Sequence, residues 1–374
     1  MKIEYNYLPQ EFSDTDEIFI QWKKLITSTE FTLGTFVRDF ESKFAQFMNA
    51  KYCISTNNGT DALILALKCL NIGIGDEVIT VTNTFYATVG AIVAVGAVPV
   101  LIDCDDRFQI DIEKIQKSIT KKTKALIPVH WAGSSPAMEK ITEICAEFNL
   151  FLIEDACMGI GASIAGRSAG TFGDINAFSM HPLKSLNVMG DGGMVITNND
   201  EYASWMLKYR NHGMIDRDNI EFWGVNMRLQ PLQAIVASLG LDKLDHVLNK
   251  RRVNAKQLDS ALSTLIEAGH LKLPRRVETH NETCALYMGL FTRRDKLKDY
   301  LRTKGIETKI HYPKPLHLQH AAQESCKFDP REMVNSEHQA RHLLTLPVHQ
   351  FLGKNEINYI ADQIFSFYEE NLAE

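Results

Sequence analysis

The chain has 374 residues, of which 45% are hydrophobic, so it is long enough to form one large domain and a second, smaller one. Its 40 Lys and Arg residues against 46 Asp and Glu residues give a formal net charge of −6, which argues against a basic surface that binds nucleic acid. The seven cysteines form no Cys-x-x-Cys pair and no apolar stretch is long enough to span a bilayer, so we expect a protein of the reducing cytoplasm without disulfides or a membrane anchor.

A candidate phosphate-binding turn lies early in the chain. Residues 55–63 read Ser-Thr-Asn-Asn-Gly-Thr-Asp-Ala-Leu, follow an apolar run and open a helix-like stretch that continues to Leu70. A glycine turn at a helix N-terminus leaves backbone N–H groups free to bind a phosphate dianion. Because such turns are also routine helix caps, this turn alone is weak evidence.

Short β-branched runs then alternate with stretches of helical period. The predicted strands are 78–81, 98–102, 125–129 and 151–153, and the predicted helices between them are 86–95, 112–119 and 137–148. This alternation predicts a parallel sheet covered by helices on both faces, in which ligands bind beyond the carboxyl ends of the strands.

An acid and a lysine suggest what binds there. Asp155 ends the run 151–155, and Lys184 follows at the end of Ser-Met-His-Pro-Leu-Lys. A lysine that forms a Schiff base with pyridoxal 5′-phosphate (PLP) needs a carboxylate partner on the far side of the cofactor ring. A random pair of this kind is most often a surface lysine and a strand-end acid, but together with the phosphate-binding turn it indicates PLP chemistry.

The pattern changes from about Leu244 onwards. A charged helix is predicted for 245–265, a strand for 285–291 and a helix for 294–304. We therefore expect a large PLP-binding domain, residues 1–245 including the N-terminal segment, and a smaller α+β domain, residues 246–374.

Ten motifs spread in order over nearly the whole chain carry a family resemblance. They are Gly34–Glu41, Asn58–Leu63, Gly75–Ile79, Thr84–Thr88, Glu154–Ala156, Gly170–Asp174, Phe178–Lys184, Gly190–Gly193, Asn226–Arg228 and Tyr312–His317. With them the chain resembles the DegT/DnrJ family of PLP-dependent sugar aminotransferases. The resemblance implies an α/β protein with the PLP-dependent transferase fold of type I, in which helices sandwich a mostly parallel central sheet beside a smaller C-terminal α+β domain.

The resemblance also implies roles for single residues. Lys184 would carry the cofactor as a Schiff base and then act as general base and acid, while Asp155 would keep the pyridine nitrogen protonated. The cofactor phosphate would be bound by Gly59, Thr60 and Ser179, with the N–H of Asp61 contributing.

Four further positions match the family's site. Phe85 would stack on the pyridine face, although an ordinary core aromatic is the alternative. Asn226 would reach the phosphate of the neighbouring subunit's cofactor, which implies a homodimer with shared active sites. Arg228 would contact a substrate carboxylate or sugar, or else form an interface ion pair, and His317 would approach the sugar. No metal is expected, because the nearby histidines lack an acid or cysteine at ligand spacing.

The chain departs from the family pattern at two positions. Met158 stands where most members have Gln or His bonded to the cofactor's phenolic oxygen, and a thioether cannot donate a hydrogen bond. Ala132 stands where tyrosine is usual, which we expect to reshape the substrate side of the pocket.

These features predict a transaminase that moves an amino group from L-glutamate to a sugar carbonyl in surface-polysaccharide, lipopolysaccharide or antibiotic-sugar biosynthesis. A nucleotide-linked ketosugar is the first expectation for the acceptor. A sugar phosphate, or a sugar-acid aldehyde such as 8-oxo-3-deoxy-octulosonate, is also open.

Other functions are weighed against this one. A sugar dehydratase of the same family, dependent on PLP or pyridoxamine phosphate (PMP), would carry histidine at the position of Lys184. A non-catalytic regulatory homologue would be expected to lose the lysine, the acid or the phosphate-binding turn, and all three persist. A nicotinamide dehydrogenase would need a Gly-x-Gly-x-x-Gly motif after the first strand.

Overall fold

A seven-stranded sheet forms the centre of the protein in a computed structural model that describes residues 1–370. Along the chain the strands are β1 (Tyr52–Thr56), β2 (Glu77–Val81), β3 (Val98–Ile102), β4 (Thr123–Ile127), β5 (Phe151–Asp155), β6 (Ser163–Ile164), β7 (Arg167–Ser168), β8 (Ile175–Ser179), β9 (Gly193–Thr197), β10 (Leu271–Lys272), β11 (His280–Asn281), β12 (Tyr287–Phe291) and β13 (Leu343–Leu346). The central sheet has the order β1-β9-β8-β5-β4-β2-β3. Only β9 runs opposite to the other six strands of this sheet, so the sheet is mostly parallel, as predicted.

The helices connect and cover these strands. They are α1 (Leu8–Glu11), α2 (Asp16–Ser28), α3 (Thr35–Met48), α4 (Gly59–Cys69), α5 (Tyr86–Ala94), α6 (Ile112–Ser118), α7 (Met138–Phe148), α8 (Asp200–Tyr209), α9 (Pro231–Ala261), α10 (Ser263–Glu267), α11 (Arg294–Thr303), α12 (His320–Ser325), α13 (Val334–His342) and α14 (Lys354–Glu370). None of these helices is long and apolar enough to cross a bilayer.

Both faces of the central sheet are covered, because its strands alternate their side chains between two cores. Val78 of β2 packs with α4, α5 and α8, whereas the next residue, Ile79, packs on the opposite face with α6 and α7. A third cluster joins α3 and α9 to the sheet through residues such as Phe178. The predicted sandwich of helices around a parallel sheet is confirmed.

The strand directions bring the predicted site residues to one edge. Strands β2, β4, β5 and β8 pair in parallel, and β1 runs the same way because both it and β8 are antiparallel to β9. The segments that follow β1, β2, β5 and β8 therefore leave the sheet at the same edge, where ligands bind in open α/β sheets.

The C-terminal part has its own core. The sheet β10-β12-β13 packs with α11, α14 and the end of α9 around buried side chains such as Phe291 and Ile360. The division proposed between residues 245 and 246 falls within α9, which contributes Leu244 to the core of the central sheet and Leu258 to the C-terminal core. The two-domain division therefore remains a proposal, with one helix shared by both parts.

The first residues of the chain pack differently from the sequence expectation. We assigned them to the large domain, but Ile3 is buried in the C-terminal core because it pairs with Ile306. The N–H of Ile3 donates to the carbonyl of Gly305 at 2.8 Å, and its carbonyl accepts from Glu307 at 2.9 Å. The N-terminal segment thus runs from the C-terminal part towards the edge of the central sheet.

Candidate active site

A cavity of about 640 Å³ opens at the carboxyl edge of the central sheet. It is lined by seven of the residues predicted for the site, namely Gly59, Thr60, Asp61, Phe85, Asp155, Ser179 and Lys184. Elements far apart in the sequence thus meet around one space that can hold a small molecule.

The turn between β1 and α4 is built as an anion site. Asn58 caps α4 and accepts a hydrogen bond from the N–H of Asp61 at 2.8 Å, so the N–H groups of Gly59 and Thr60 remain available to a ligand. A Cβ atom on Gly59 would lie only 2.8 Å from the Cβ of Ser179, so glycine lets the helix N-terminus approach that hydroxyl-bearing residue. This donor set fits a phosphate group.

Asp61 differs from its predicted role in this anion site, whose donors Gly59, Thr60 and Ser179 are called the phosphate cup below. Its N–H is already used by Asn58, and its carboxylate accepts from the Asn58 amide at 3.3 Å. Burial raises the pKa of Asp61, because the charged form loses hydration. The expectation that Asp61 donates its N–H to the phosphate is therefore corrected, since the cap consumes that donor.

Asp155 is buried at the end of β5 and held by two hydrogen bonds. Its Oδ2 accepts from the hydroxyl of Thr88 at 2.7 Å, and its Oδ1 accepts from the N–H of Cys157 at 3.2 Å. The Thr88 hydroxyl lies 3.0 Å from that of Thr84, in the segment between β2 and α5. Because both oxygens are fixed, the carboxylate presents a defined face to the cavity.

A second acid, Glu154, holds the end of β5 in place through hydrogen bonds to neighbouring loops. It is fully buried, accepts from the N–H groups of Gly170 and Gly173 at 2.7 Å, and lies 2.7 Å from Nε2 of His130. The N–H of His130 in turn donates to the carbonyl of Asp155 at 3.0 Å. The network ties the backbone that carries Asp155 to two neighbouring loops.

Lys184 lies in the loop between β8 and β9, and three hydrogen bonds hold its backbone. Its carbonyl accepts from the hydroxyl of Tyr7 at 3.1 Å and from the amide of Asn187 at 3.5 Å. Its N–H donates to the carbonyl of His181 at 3.0 Å. Leu183, directly before it, has a φ of 73°, which is rare for a residue other than glycine. The loop is thus constrained at the position that carries the amine.

The aromatic side of the cavity is formed by three rings. Phe85 precedes α5 and is 38% exposed, and its ring centroid lies 6.0 Å from that of Tyr312. Tyr312 in turn lies 5.6 Å from Trp131. An exposed aromatic ring on a cavity wall can stack on a flat ligand.

Part of the cavity wall consists of residues to which the sequence analysis gave no role in the site. They are Tyr5, Tyr7, Arg251, His311 and His349, which come from the N-terminal segment, from α9 and from C-terminal loops. Burial lowers the pKa of both histidines to about 4, with the charge of Lys184 adding to the effect on His311. Both rings are therefore neutral near pH 7. No motif links these positions, so only their convergence in the fold reveals them.

His317 lies outside the cavity. It is fully buried, with Nδ1 2.8 Å from the hydroxyl of Thr82 and Nε2 3.3 Å from a carboxylate oxygen of Glu337. The prediction that His317 approaches the sugar is therefore corrected, because both ring nitrogens are used inside the protein. The cavity histidines His311 and His349 are the better candidates.

Asn226 and Arg228 also lie outside the cavity of their own chain. Asn226 is exposed, and its side-chain oxygen accepts from Nε of Arg228 at 3.0 Å. Nη1 of Arg228 donates to the side chain of Asn211 at 3.0 Å. Within one chain Arg228 thus orients Asn226, and neither residue has a substrate-facing position there.

The two departures from the family pattern lie at different places. Met158 lines the cavity, whereas Ala132 does not. Over residues 1–370 we find no cluster of three or more His, Cys, Asp or Glu side chains that could hold a metal ion.

Comparison with known proteins agrees with this geometry. The model of the DegT/DnrJ/EryC1/StrS aminotransferase family matches residues 13–365. A pleiotropic regulatory protein of Geobacillus stearothermophilus is 35% identical over 94% of each chain. A UDP-N-acetyl-3-dehydro-alpha-D-glucosamine 3-aminotransferase of Acidithiobacillus ferrooxidans is 36% identical over 93% of each chain. A 3-oxo-glucose-6-phosphate:glutamate aminotransferase of Bacillus subtilis is 29% identical over 96% of this chain and 82% of the relative.

Two solved structures show the same fold. DesV of S. venezuelae, in complex with a ketimine intermediate, superposes with a TM-score of 0.94 at 31% identity over 98% of this chain and 99% of that one. The protein ntda of Bacillus subtilis, with bound PMP, superposes with a TM-score of 0.88 at 29% identity over 95% of this chain and 82% of that one.

Proposed function

Because the chain belongs to the DegT/DnrJ/EryC1/StrS aminotransferase family, we propose that it transfers an amino group from L-glutamate to a carbonyl carbon of a sugar. The protein is a PLP-dependent aminotransferase, as its sequence predicted. The observation that carries the proposal is that Lys184, Asp155 and the phosphate cup line one cavity.

The residues of this cavity fit the cofactor. Gly59, Thr60 and Ser179 would hold its phosphate, Asp155 its ring nitrogen, and Lys184 its aldehyde carbon. When bound, PLP withdraws electrons from the substrate Cα and so makes the Cα–H bond acidic.

The protein side chains would hold the cofactor's protons, transfer the substrate proton and exclude water. Asp155, fixed by Thr88 and the N–H of Cys157, would place its negative charge at the ring nitrogen and so hold a proton there. The amine of Lys184 would take the proton from the substrate Cα as general base and give it back as general acid. Phe85 would cover one face of the ring and keep water from it.

Our first candidate for the acceptor is a nucleotide-linked ketosugar. The name of the Acidithiobacillus relative supports this class, since it specifies a UDP-linked 3-dehydro sugar. The name of the Bacillus relative, with a 3-oxo sugar phosphate and glutamate, supports a sugar phosphate as an alternative acceptor and glutamate as the donor. A sugar-acid aldehyde such as 8-oxo-3-deoxy-octulosonate is a further alternative. We place the reaction in the reducing cytoplasm, since all seven cysteines are free thiols. We also propose that it belongs to surface-polysaccharide, lipopolysaccharide or antibiotic-sugar biosynthesis.

The alternatives are less well supported. A dehydratase would carry histidine where this chain has Lys184. The name of the Geobacillus relative favours a regulatory role, but a purely regulatory protein would not need Lys184, Asp155 and the phosphate cup together in one cavity.

An absorption spectrum of the purified protein tests the proposal. The protein should be yellow, and L-glutamate should shift its cofactor band because the amino group moves onto the cofactor. Ketosugar nucleotides, ketosugar phosphates and the sugar-acid aldehyde are then offered separately to the glutamate-treated enzyme. The compound that restores the original band is the acceptor, and efficient recovery with simple 2-oxo acids alone would refute a sugar acceptor.

We also propose a homodimer in which Asn226 of one subunit contacts the cofactor phosphate of the other. The exposed position of Asn226, oriented by Arg228, supports this role. Asn226→Ala should weaken PLP retention by roughly tenfold to a hundredfold, because a hydrogen bond to a charged group contributes about 1.5–3 kcal/mol. Asn219→Ala, in the same surface region, is the matched control.

Mixed dimers test the shared site directly. An Asn226→Ala subunit and a Lys184→Ala subunit are each impaired, but together they should form one intact site, because the lysine of the first meets the asparagine of the second. Turnover should reappear on mixing and rise with the fraction of mixed dimer. A fully active monomer in analytical ultracentrifugation would contradict the shared site.

A further inference from the structure

Arg251 is a buried cation without a carboxylate partner. It lies on α9, is 2% exposed and lines the cavity next to Tyr7. Its Nε donates to the side-chain oxygen of Gln350 at 3.1 Å and its Nη1 to the carbonyl of Ala285 at 3.3 Å. Nη2 has no hydrogen-bond partner among the described residues.

Of the four buried arginines among residues 1–370, only Arg251 lines the cavity. Arg210 pairs with Glu41 and Arg294 with Asp295, whereas Arg107 donates to Ser134 and Ser135 away from the cavity. Arg251 forms no ion pair with any carboxylate in residues 1–370. Burying an unpaired charge is costly, so a buried guanidinium that faces a ligand cavity indicates an anionic group of the ligand.

None of the groups around Arg251 carries a positive charge near pH 7, so Arg251 is the only one among them suited to bind a carboxylate. The ring of Tyr7 lies 5.0 Å from the guanidinium carbon, and His349 and His311 are neutral near pH 7 because burial lowers their pKa to about 4. Besides Lys184, which the cofactor would occupy, Arg251 is the one Lys or Arg side chain among the described cavity residues.

We propose that Arg251 binds a carboxylate of the substrate in the part of the cavity formed with Tyr7 and His349. The planar guanidinium suits a carboxylate, and Nη2 is the donor that such a ligand would satisfy. The inference rests on the proposed function, since it concerns the substrates of the same site. Arg228, which the sequence offered for this role, does not line the cavity, and neither do Arg275 and Arg276, the second of which is paired with Glu282 and Asp259.

The carboxylate has two possible sources, which kinetics can separate. If Arg251 serves the amino donor, its replacement raises KM for L-glutamate and for 2-oxoglutarate and leaves KM for a ketosugar nucleotide without a carboxylate unchanged. If it serves an acid-bearing acceptor, KM for the sugar-acid aldehyde rises and KM for L-glutamate stays as in the wild type. Both results support a carboxylate site at Arg251.

Binding of an unreactive dicarboxylate tests the proposal without turnover. The wild-type holoenzyme is titrated with glutarate and with the neutral analogue glutaramide by calorimetry. Glutarate should bind at least about tenfold more tightly, because only it can accept charge-assisted hydrogen bonds. Equal affinity for the two compounds would overturn the proposal.

Variants then locate the effect at one residue. Arg251→Met should weaken glutarate binding by roughly tenfold to a hundredfold, while Arg251→Lys, which keeps the charge but not the fork, should retain part of it. Arg252→Met is the matched control, since Arg252 bonds the carbonyls of Glu282 and Gly161 and does not line the cavity.

Stability separates binding from a structural role. Removing an unpaired buried charge should leave the Tm of the ligand-free Arg251→Met protein at or above that of the wild type. Glutarate should raise the Tm of the wild type and not of this variant. An unchanged glutarate affinity in both Arg251 variants would overturn the proposal and leave the transaminase function intact, whereas a wild type that does not respond to L-glutamate would reject the proposed function itself.

Discussion

Replacing Lys184 with Ala is expected to lower the transamination rate by at least roughly 10²–10⁴-fold, the contribution typical of a positioned acid–base group. The loss should be larger if the amine also forms the covalent link to the cofactor. Both functions depend on one side chain, and its backbone is fixed by Tyr7, Asn187 and His181, so no neighbouring amine can take its place. Arg251 is the only other Lys or Arg side chain described in the cavity, and a guanidinium is too weak a base for either step.

The measurement has two parts. Single turnover with L-glutamate gives the rate, and borohydride reduction followed by peptide mapping should place the cofactor on the peptide that contains Lys184. Lys140→Ala, at an exposed position of α7, is the control and should retain both. Full turnover by the Lys184→Ala protein would show that the proposed mechanism is wrong.

The parallel strands were predictable because their sequences are local and regular. β2 to β5 are short apolar runs buried on both faces, and each was placed within two residues by the sequence. Helix α9 was predicted from Asp245 but begins at Pro231. Its first half packs on the central sheet and is largely apolar, so it lacks the polar face on which an amphipathic pattern depends.

The cofactor half of the site was predictable for a different reason. Gly59 and Thr60 follow β1, Asp155 ends β5, and Lys184 lies in the loop after β8, so the parallel sheet brings them all to one edge. No such rule brings the remaining cavity residues together. Tyr7, Arg251 and His349 are about a hundred residues or more apart from one another, and only the packing of the N-terminal segment against the C-terminal core brings them together.

His317 shows why a motif alone does not give a role. It belongs to a segment that matches the family, yet its hydrogen bonds to Thr82 and Glu337 make it a structural residue that joins the C-terminal loop to the end of β2. His311, six residues earlier, lines the cavity. The sequence spacing cannot tell these two histidines apart, because the chain turns between them and exposes only one to the cavity.

Replacing Asp155 with Ala is expected to lower the transamination rate by roughly 10²–10⁴-fold while part of the cofactor stays bound. The phosphate cup of Gly59, Thr60 and Ser179 does not depend on this side chain, so binding should weaken less than turnover. Without the carboxylate, nothing holds the proton on the ring nitrogen, and the cofactor loses much of its power to stabilise negative charge at the substrate Cα.

A graded series tests that the charge of Asp155, rather than its bulk, is needed. Asp155→Asn keeps the size and should be nearly as slow as Asp155→Ala, because the amide carries no negative charge. Thr88→Val removes the donor at 2.7 Å but leaves the carboxylate, so we expect a loss of only about tenfold, the size of one hydrogen bond. Asp245→Asn, on the exposed face of α9, is the control. An Asp155→Asn enzyme that works at the wild-type rate would show that the charge at this position has no part in the reaction.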